Sequence, residues 1–264
     1  MRKTIVLYIV LGLISFRAFA QDSTGTVLIT PKDSILIKKD AAQIKRYFLG
    51  VSGGYTYLMG NLAGISYSDP KSGFASLDGY NLGTDGAYYL NKYIGIGGVV
   101  SFSSFYVSQA GLTDLAYGYQ RSFNGDSAKV AATTKYNFYN FFLGPYFSIP
   151  FKNKKTTIDI RVVVGLTYLR TAEFDIVVVS AGVPHPFAQN ISQAIAWGGQ
   201  AGLVLRHSLG KNMCAKLNID YYYTDPNIGI INSNMPANVR ELTTYHQPIM
   251  MLHFNVGLAY KFGM

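Results

Sequence analysis

Six charged side chains and one histidine occupy faces that are otherwise small and neutral: Asp85, Asp159, Arg161, Arg206, Lys216, Asp220 and His253. In an extended strand, residues two apart share a face. Asp85 then shares a face with Asn81, Gly83 and Ala87, and Arg206 with Ala196, Gly198, Gln200 and Gly202. His253 falls in line with Asn255, Gly257, Ala259 and Lys261. Three acids balance three bases. Charges held in a narrow space away from water require partners. The expectation is an internal ion-pair network at one depth, with His253 as hydrogen-bonded filler and Tyr146 and Tyr222 packed beside it. The functional alternatives are a gated constriction or a polar ligand site.

Other chemistry finds little support. A lipid acyl hydrolase or transferase needs a serine nucleophile touching a histidine base. His246 is expected at the outer rim facing lipid, whereas Ser52 and Thr224 on the neighbouring strands point the other way. Ser104 faces lipid but sits on a strand that is not adjacent. His185 lies between Pro184 and Pro186, and His207 falls near the opposite end. No metal-ligand spacing occurs, the lone Cys214 excludes an intramolecular disulfide, and no cofactor is implied. The formal charge of +9 would suit nucleic acid, but no lysine–arginine cluster sits on a recognisable module. The sequence therefore predicts no catalytic, metal or cofactor site.

The elements that carry these residues are amphipathic strands. From His246 to Phe262 one face reads Pro248, Met250, Leu252, Phe254, Val256, Leu258, Tyr260 and Phe262, and the other is polar or small. Seven earlier segments alternate the same way, near 46–58, 79–90, 94–106, 139–149, 158–168, 195–206 and 213–223. The connections alternate too. Long ones span roughly 60–77, 109–133, 172–190 and 226–245, and short ones 91–93, 150–155 and 210–212. An apolar outer face, a polar inner face and alternating short and long connections describe a membrane barrel. The predicted fold is all-β: an eight-stranded antiparallel transmembrane up-and-down barrel with short periplasmic turns, long external loops and both termini periplasmic. A soluble barrel would carry many charges on its outward face; the non-apolar faces here are mostly Gly, Ser, Asn and Ala.

The glycine-rich run Tyr93-Ile94-Gly95-Ile96-Gly97-Gly98 and the ending Asn255-Val256-Gly257-Leu258-Ala259-Tyr260-Lys261-Phe262 carry a resemblance. From roughly Tyr47 to Phe262 the chain resembles the small outer-membrane β-barrel proteins of Bacteroidota-type bacteria, in the PorT-like group. The resemblance implies that Tyr260 and Phe262 belong to a C-terminal signal read by the barrel-assembly machinery, with Gly263 and Met264 as a departure from it. It also implies a membership of secretion-system components and adhesion-type barrels.

The N-terminus reads as an export leader. Arg2 and Lys3 precede an apolar run from Ile5 to Phe16, and Ala18-Phe19-Ala20 fits a cleavage site. No later segment offers the roughly 20 apolar residues of a membrane helix. The expected domains are a signal peptide (1–20), a periplasmic extension (21–44) and the barrel (45–264). Residues 22–45 carry two strand-like runs, Val27–Asp33 and Ile35–Asp40, and are expected to act as a tether, a plug or a partner-binding segment. Phe174–Val179 is strand-like and closed by Pro184 and Pro186, either a hairpin extending strands five and six or an exposed edge or apolar patch that binds a partner. Lys38, Lys39, Lys45, Arg46, Lys92, Lys152, Lys154, Lys155 and Lys211 gather on the predicted periplasmic side, which suits anionic lipid or an acidic partner. The expected role is a non-enzymatic anchor or interaction module, within a secretion or surface assembly. It would contact outer-membrane lipid and a periplasmic or surface protein. A narrow solute or ion channel is the alternative, and a lipid-modifying enzyme the third.

Overall fold

The structure, a computed structural model, describes residues 46–69, 71–152, 155–230, 232–233 and 243–263. The expected signal peptide, the extension over 21–44 and the segment 22–45 lie outside these residues. The elements, in chain order, are β1 (Tyr47–Met59), β2 (Ala75–Tyr89), β3 (Ile94–Val107), α1 (Gln109–Ser122), β4 (Ser127–Ala132), β5 (Tyr136–Pro150) and β6 (Thr156–Arg170). They continue with β7 (Phe174–Ser180), β8 (Val183–Gln189), β9 (Gln193–Ser208), β10 (Met213–Thr224), β11 (Asn227–Ile230), β12 (Asn232–Ser233), β13 (Thr243–His246) and β14 (Ile249–Phe262).

Eight of these strands close a barrel in the order β1-β2-β3-β5-β6-β9-β10-β14. Every pairing is antiparallel, and β14 returns to β1 in register from Tyr47↔Phe262 to Met59↔Met250. The alternation in sequence becomes two faces. Outside lie Val51, Leu82, Ile96, Val100, Leu143, Val164 and Val256, all exposed. An aromatic set rims each end of this belt. Tyr47 stacks on Phe262 at 5.5 Å at the short-turn end, and Phe102 meets Tyr139 at 5.0 Å toward the long loops. Inside lie buried polar and aromatic side chains. Among the described residues no helix is long and apolar enough to cross a membrane.

The short connections are tight: in the first, Asn91 Oδ1 accepts from the backbone N–H groups of Tyr93 and Ile94 at 2.8 and 2.9 Å, an Asx turn. The long connections are not plain loops. They build a cap over one end of the barrel. The second contributes α1, whose N-cap Ser108 accepts from Gly111 N at 3.4 Å. A four-stranded sheet in the order β12-β8-β7-β4 draws on the second, third and fourth loops. The third loop supplies its central hairpin, turned at Ala181 and Gly182, both at positive φ, as a two-residue hairpin of primed type requires.

Three expectations are corrected. Phe174–Val179 is not an exposed edge, because β4 pairs with β7 along Ser127–Ala132; its hairpin with β8 does extend the barrel strands, since the β6–β9 register runs on from Arg170↔Gln193 through the Thr171 N–H bond to Ser192 O at 2.9 Å to Phe174↔Gln189. The last barrel strand starts at Ile249, not His246. Pro248 has no N–H to give to a ladder, and Gln247 N donates to Pro226 O at 3.0 Å. His246 therefore belongs to β13, paired with β11. Ser104 has outward parity yet is 1% exposed.

Candidate functional site

The lumen is layered. At the short-turn end, Arg206 donates to both carboxylate oxygens of Asp159, through Nε at 2.5 Å and through a terminal nitrogen at 2.8 Å. The Tyr89 hydroxyl accepts from Arg206 at 2.9 Å and donates to Asp159 at 3.1 Å. The guanidinium also lies 4.4 Å from the Phe48 ring centroid, a contact that favours arginine over lysine. Deeper in, Arg161 makes a two-point contact with Asp220 at 2.9 and 2.7 Å and reaches Asp85 at 3.0 Å. Lys216 donates to the other oxygen of Asp85. The six charges thus form a pair and a four-membered cluster rather than one layer.

Strand register explains the split. Lys216 and Arg206 are direct cross-strand neighbours on β10 and β9. Two cations side by side repel, and each turns to a different acid: Lys216 to Asp85 across the barrel, Arg206 to Asp159. Small residues make the room. A Cβ at Gly202 would lie 1.7 Å from Asp220 Oδ1, and one at Gly97 would lie 2.6 Å from the Tyr146 ring. Every charged member of the network is buried. Eight strands leave an interior that side chains can fill.

The next layer is neutral. Asn255 donates to Asn81 at 2.9 Å, and Asn81 to Ser103 at 2.8 Å. A second chain runs from the Tyr222 hydroxyl to Thr167 at 2.9 Å, then to Asn140 at 2.9 Å and to Ser101 at 3.1 Å. Above it the lumen turns apolar, with Leu58, Phe105, Phe138, Leu169 and Met251 each fully buried. The space left between Asp85, Arg161, His253 and Asn255 is about 10 Å³, room for roughly one water molecule.

His253 lies beside this space, 2% exposed, with its ring 6.0 Å from Tyr222. Neither ring nitrogen has a hydrogen-bond partner among the described protein groups. The Tyr146 ring packs edge-on to Phe48 at 6.1 Å, and its hydroxyl lies 3.5 Å from Arg161. Sequence reasoning missed Phe48 and Tyr89. The signal was present as parity: both are aromatics on faces otherwise occupied by Gly50 and Ser52, or by Asp85 and Ala87.

The apolar core of the cap is continuous with the apolar top of the lumen. Leu62, Phe74, Leu115, Phe174, Ile176, Val178 and Ile228 are buried in the cap. Phe74 meets Phe174 edge-on at 6.5 Å, and Tyr119 meets Phe187 at 5.1 Å. Phe74 holds a positive φ of 57°, uncommon for a bulky residue. Hydrogen bonds on both sides fix it, from its N–H to Gly64 O at 2.9 Å and from Ser108 N–H to its carbonyl at 2.7 Å. Burial pushes the Tyr119 hydroxyl up to about 12, with nearby Tyr67 adding to the rise. Burial also raises Tyr245. An open groove between α1 and the β4–β7 strands is lined by Leu112, Ala116, Tyr117, Val130 and Val177.

The histidines outside the lumen are dispersed. His246 Nδ1 lies 3.8 Å from Asp225, both solvent-exposed. His207 Nδ1 is 3.0 Å from Thr156 Oγ1 at the short-turn rim. His185 is exposed on β8. Among the described residues no group of three or more His, Cys, Asp or Glu side chains is placed to hold a metal ion. Tyr260 accepts from Asn212 at 2.6 Å and stacks on Phe262 at 6.4 Å, both on the outer face.

No family model matches the chain, and no curated protein matches it. Among solved structures, a major outer membrane protein from Thermus thermophilus is similar, with 11% identity over 82% of this chain and 99% of that one, at a TM-score of 0.45. Ail, the attachment invasion locus protein of Yersinia pestis, is 17% identical over 82% of this chain and 99% of that one, at 0.37. The outer membrane protein OprG from Pseudomonas aeruginosa is 14% identical over 83% and 98%, at 0.37.

Proposed function

We propose that this chain is a non-conducting barrel of the bacterial outer membrane that holds its loop cap as a binding platform. One observation carries the proposal. The lumen is filled by buried ion pairs, amides and an apolar plug, whereas the long loops pack onto that plug and carry an exposed groove and an edge strand, β4. A belt of exposed aliphatic side chains between two aromatic rims suits lipid, not water. A sheet edge and an apolar groove on a rigid scaffold suit capture of another protein. In this proposal the cap faces outward, the short turns and both termini face the periplasm, and the protein serves as an anchor within a secretion or surface assembly of PorT-like type. Tyr260 and Phe262 would guide insertion by the barrel-assembly machinery. The buried network would set the barrel's shape without taking part in chemistry.

The test is purification from native outer membranes in mild detergent. A stoichiometric protein partner is expected, and it should be lost when Val130→Asp and Val177→Asp place charges in the groove. Planar-bilayer recordings of the same preparation should be silent. A stable conductance that changes when Asp159 or Arg206 is neutralised would replace this proposal with a channel.

A further inference from the structure

Charge on this molecule is segregated by end. Outside the lumen, the described acids are Asp69, Asp78, Asp114, Asp126, Glu173, Asp175 and Asp225, and all seven lie at the loop end. That end also carries Lys71, Arg121, Lys129, Lys135 and Arg170. The short-turn end carries Arg46, Lys92, Lys152, Lys155, Lys211 and Lys261, and among the described residues no acid outside the lumen accompanies them. A single-sign rim would repel itself without counter-charge.

The rim sits just beyond an aromatic ring. Tyr47, Tyr93, Phe147, Tyr260 and Phe262 are exposed on the outer face at this end. Aromatic side chains of this kind mark the level of lipid headgroups. Lys92 Nζ lies 4.6 Å from the Tyr93 ring centroid, so the cation stands directly over the girdle. Long cationic side chains keep their stems along apolar surface and carry the charge out to the interface. Arg46, Lys92, Lys152, Lys155 and Lys211 are solvent-exposed in contrast to the buried lumenal cations. We infer that this rim binds the phosphates of anionic phospholipids in the leaflet at the short-turn end. The inference rests on the membrane placement proposed above. Charge complementarity names the occupant: the rim meets phosphate at headgroup depth, all round the barrel, instead of at one patch that a folded protein would cover.

The sole tryptophan, Trp197, lies on the outer face of β9, in its loop-end half, and is 74% exposed. Trp197→Phe with Tyr93→Trp moves that reporter to the rim. The experiment reconstitutes both forms in bilayers and compares quenching by brominated phosphatidylglycerol and brominated phosphatidylcholine. At the rim reporter, phosphatidylglycerol should be preferred by roughly fivefold, the equivalent of about 1 kcal/mol for one cation at an anionic surface. High salt should erase the preference, and so should Lys92→Gln with Lys152→Gln and Lys211→Gln. Trp197 itself should show none. Equal quenching by the two lipids at the rim overturns the inference. Absence of quenching by either lipid at either reporter overturns the membrane placement instead, so the two failures are distinguishable.

Discussion

The lumen and the cap are both buried, but by opposite means. The lumen buries charge and satisfies it: Arg161 alone makes hydrogen bonds to two carboxylates. The cap buries aromatic and aliphatic side chains and turns its charges outward. The difference follows from what surrounds each. A barrel closes its backbone bonds within itself, so its interior must match a polar alternation set by strands whose outer face is already apolar. The cap has no such alternation to obey and packs as a small globular unit does. An ion-pair interior tolerates little change, because every charge is another's partner. An apolar core loses contacts more locally. The two regions should therefore break differently.

The largest effect expected is at Arg161. Arg161→Met leaves Asp85 and Asp220 buried with one cation, Lys216, between them. Removing one member of a buried pair costs on the order of 3–5 kcal/mol, read as a lower urea midpoint for the barrel. Adding Asp220→Asn to that variant should recover much of the loss, since it removes the orphaned charge. If Arg161→Met alone is neutral, the network is not what fixes the barrel.

Phe174→Ala tests the cap with a change of similar gross size, about 3–5 kcal/mol for a buried phenylalanine. Here the loss should stay local. Protease should cut within the cap while the barrel keeps its urea midpoint. Barrel and cap melting together would mean that they form one cooperative unit.

Much of the barrel was legible because period-two alternation survives in every barrel strand, and the parity of Asp85, Asp159, Arg206 and Asp220 needs nothing else. Which acid meets which base was not legible. That depends on how far strands are staggered across the barrel, so Lys216 reaches Asp85 on a strand that is not its neighbour. The cap was largely hidden. The β7–β8 hairpin was legible as a continuation of its barrel strands, but the pairings that join different loops were not: β12 pairs with β8, and β4 at Ser127–Ala132 acquires its meaning only from β7 at Phe174–Ser180. The strand starting at His246 misled because alternation continues through Gln247 and Pro248 while the backbone ladder does not.

Alkaline pH separates the regions a third way. Tyr119 ionises near 10 when unfolded and is pushed up to about 12 in the cap. The folded cap therefore holds the proton more tightly, so this stabilisation is complete below pH 10 and is lost as pH rises toward 12. A rise of that size corresponds to roughly 2.7 kcal/mol at most. Tyrosinate absorbance should rise together with cap proteolysis in that window, and Tyr119→Phe should remove the coupling.

The smallest effect expected is at the entrance to α1. Ser108 caps the helix through Gly111 N–H, and its own N–H holds the Phe74 carbonyl in place. Ser108→Ala removes the side-chain acceptor but keeps the backbone bond. A lost cap costs about 1 kcal/mol, so amide exchange should quicken in the first turn of α1 and leave Phe74 and the barrel strands unchanged. Ser108→Asp should restore protection, because a carboxylate accepts the same bond and favours a helix start. Should Ser108→Ala loosen the whole cap, the strained Phe74 backbone depends on the helix, and the cap is held from its entry point rather than from its apolar contacts.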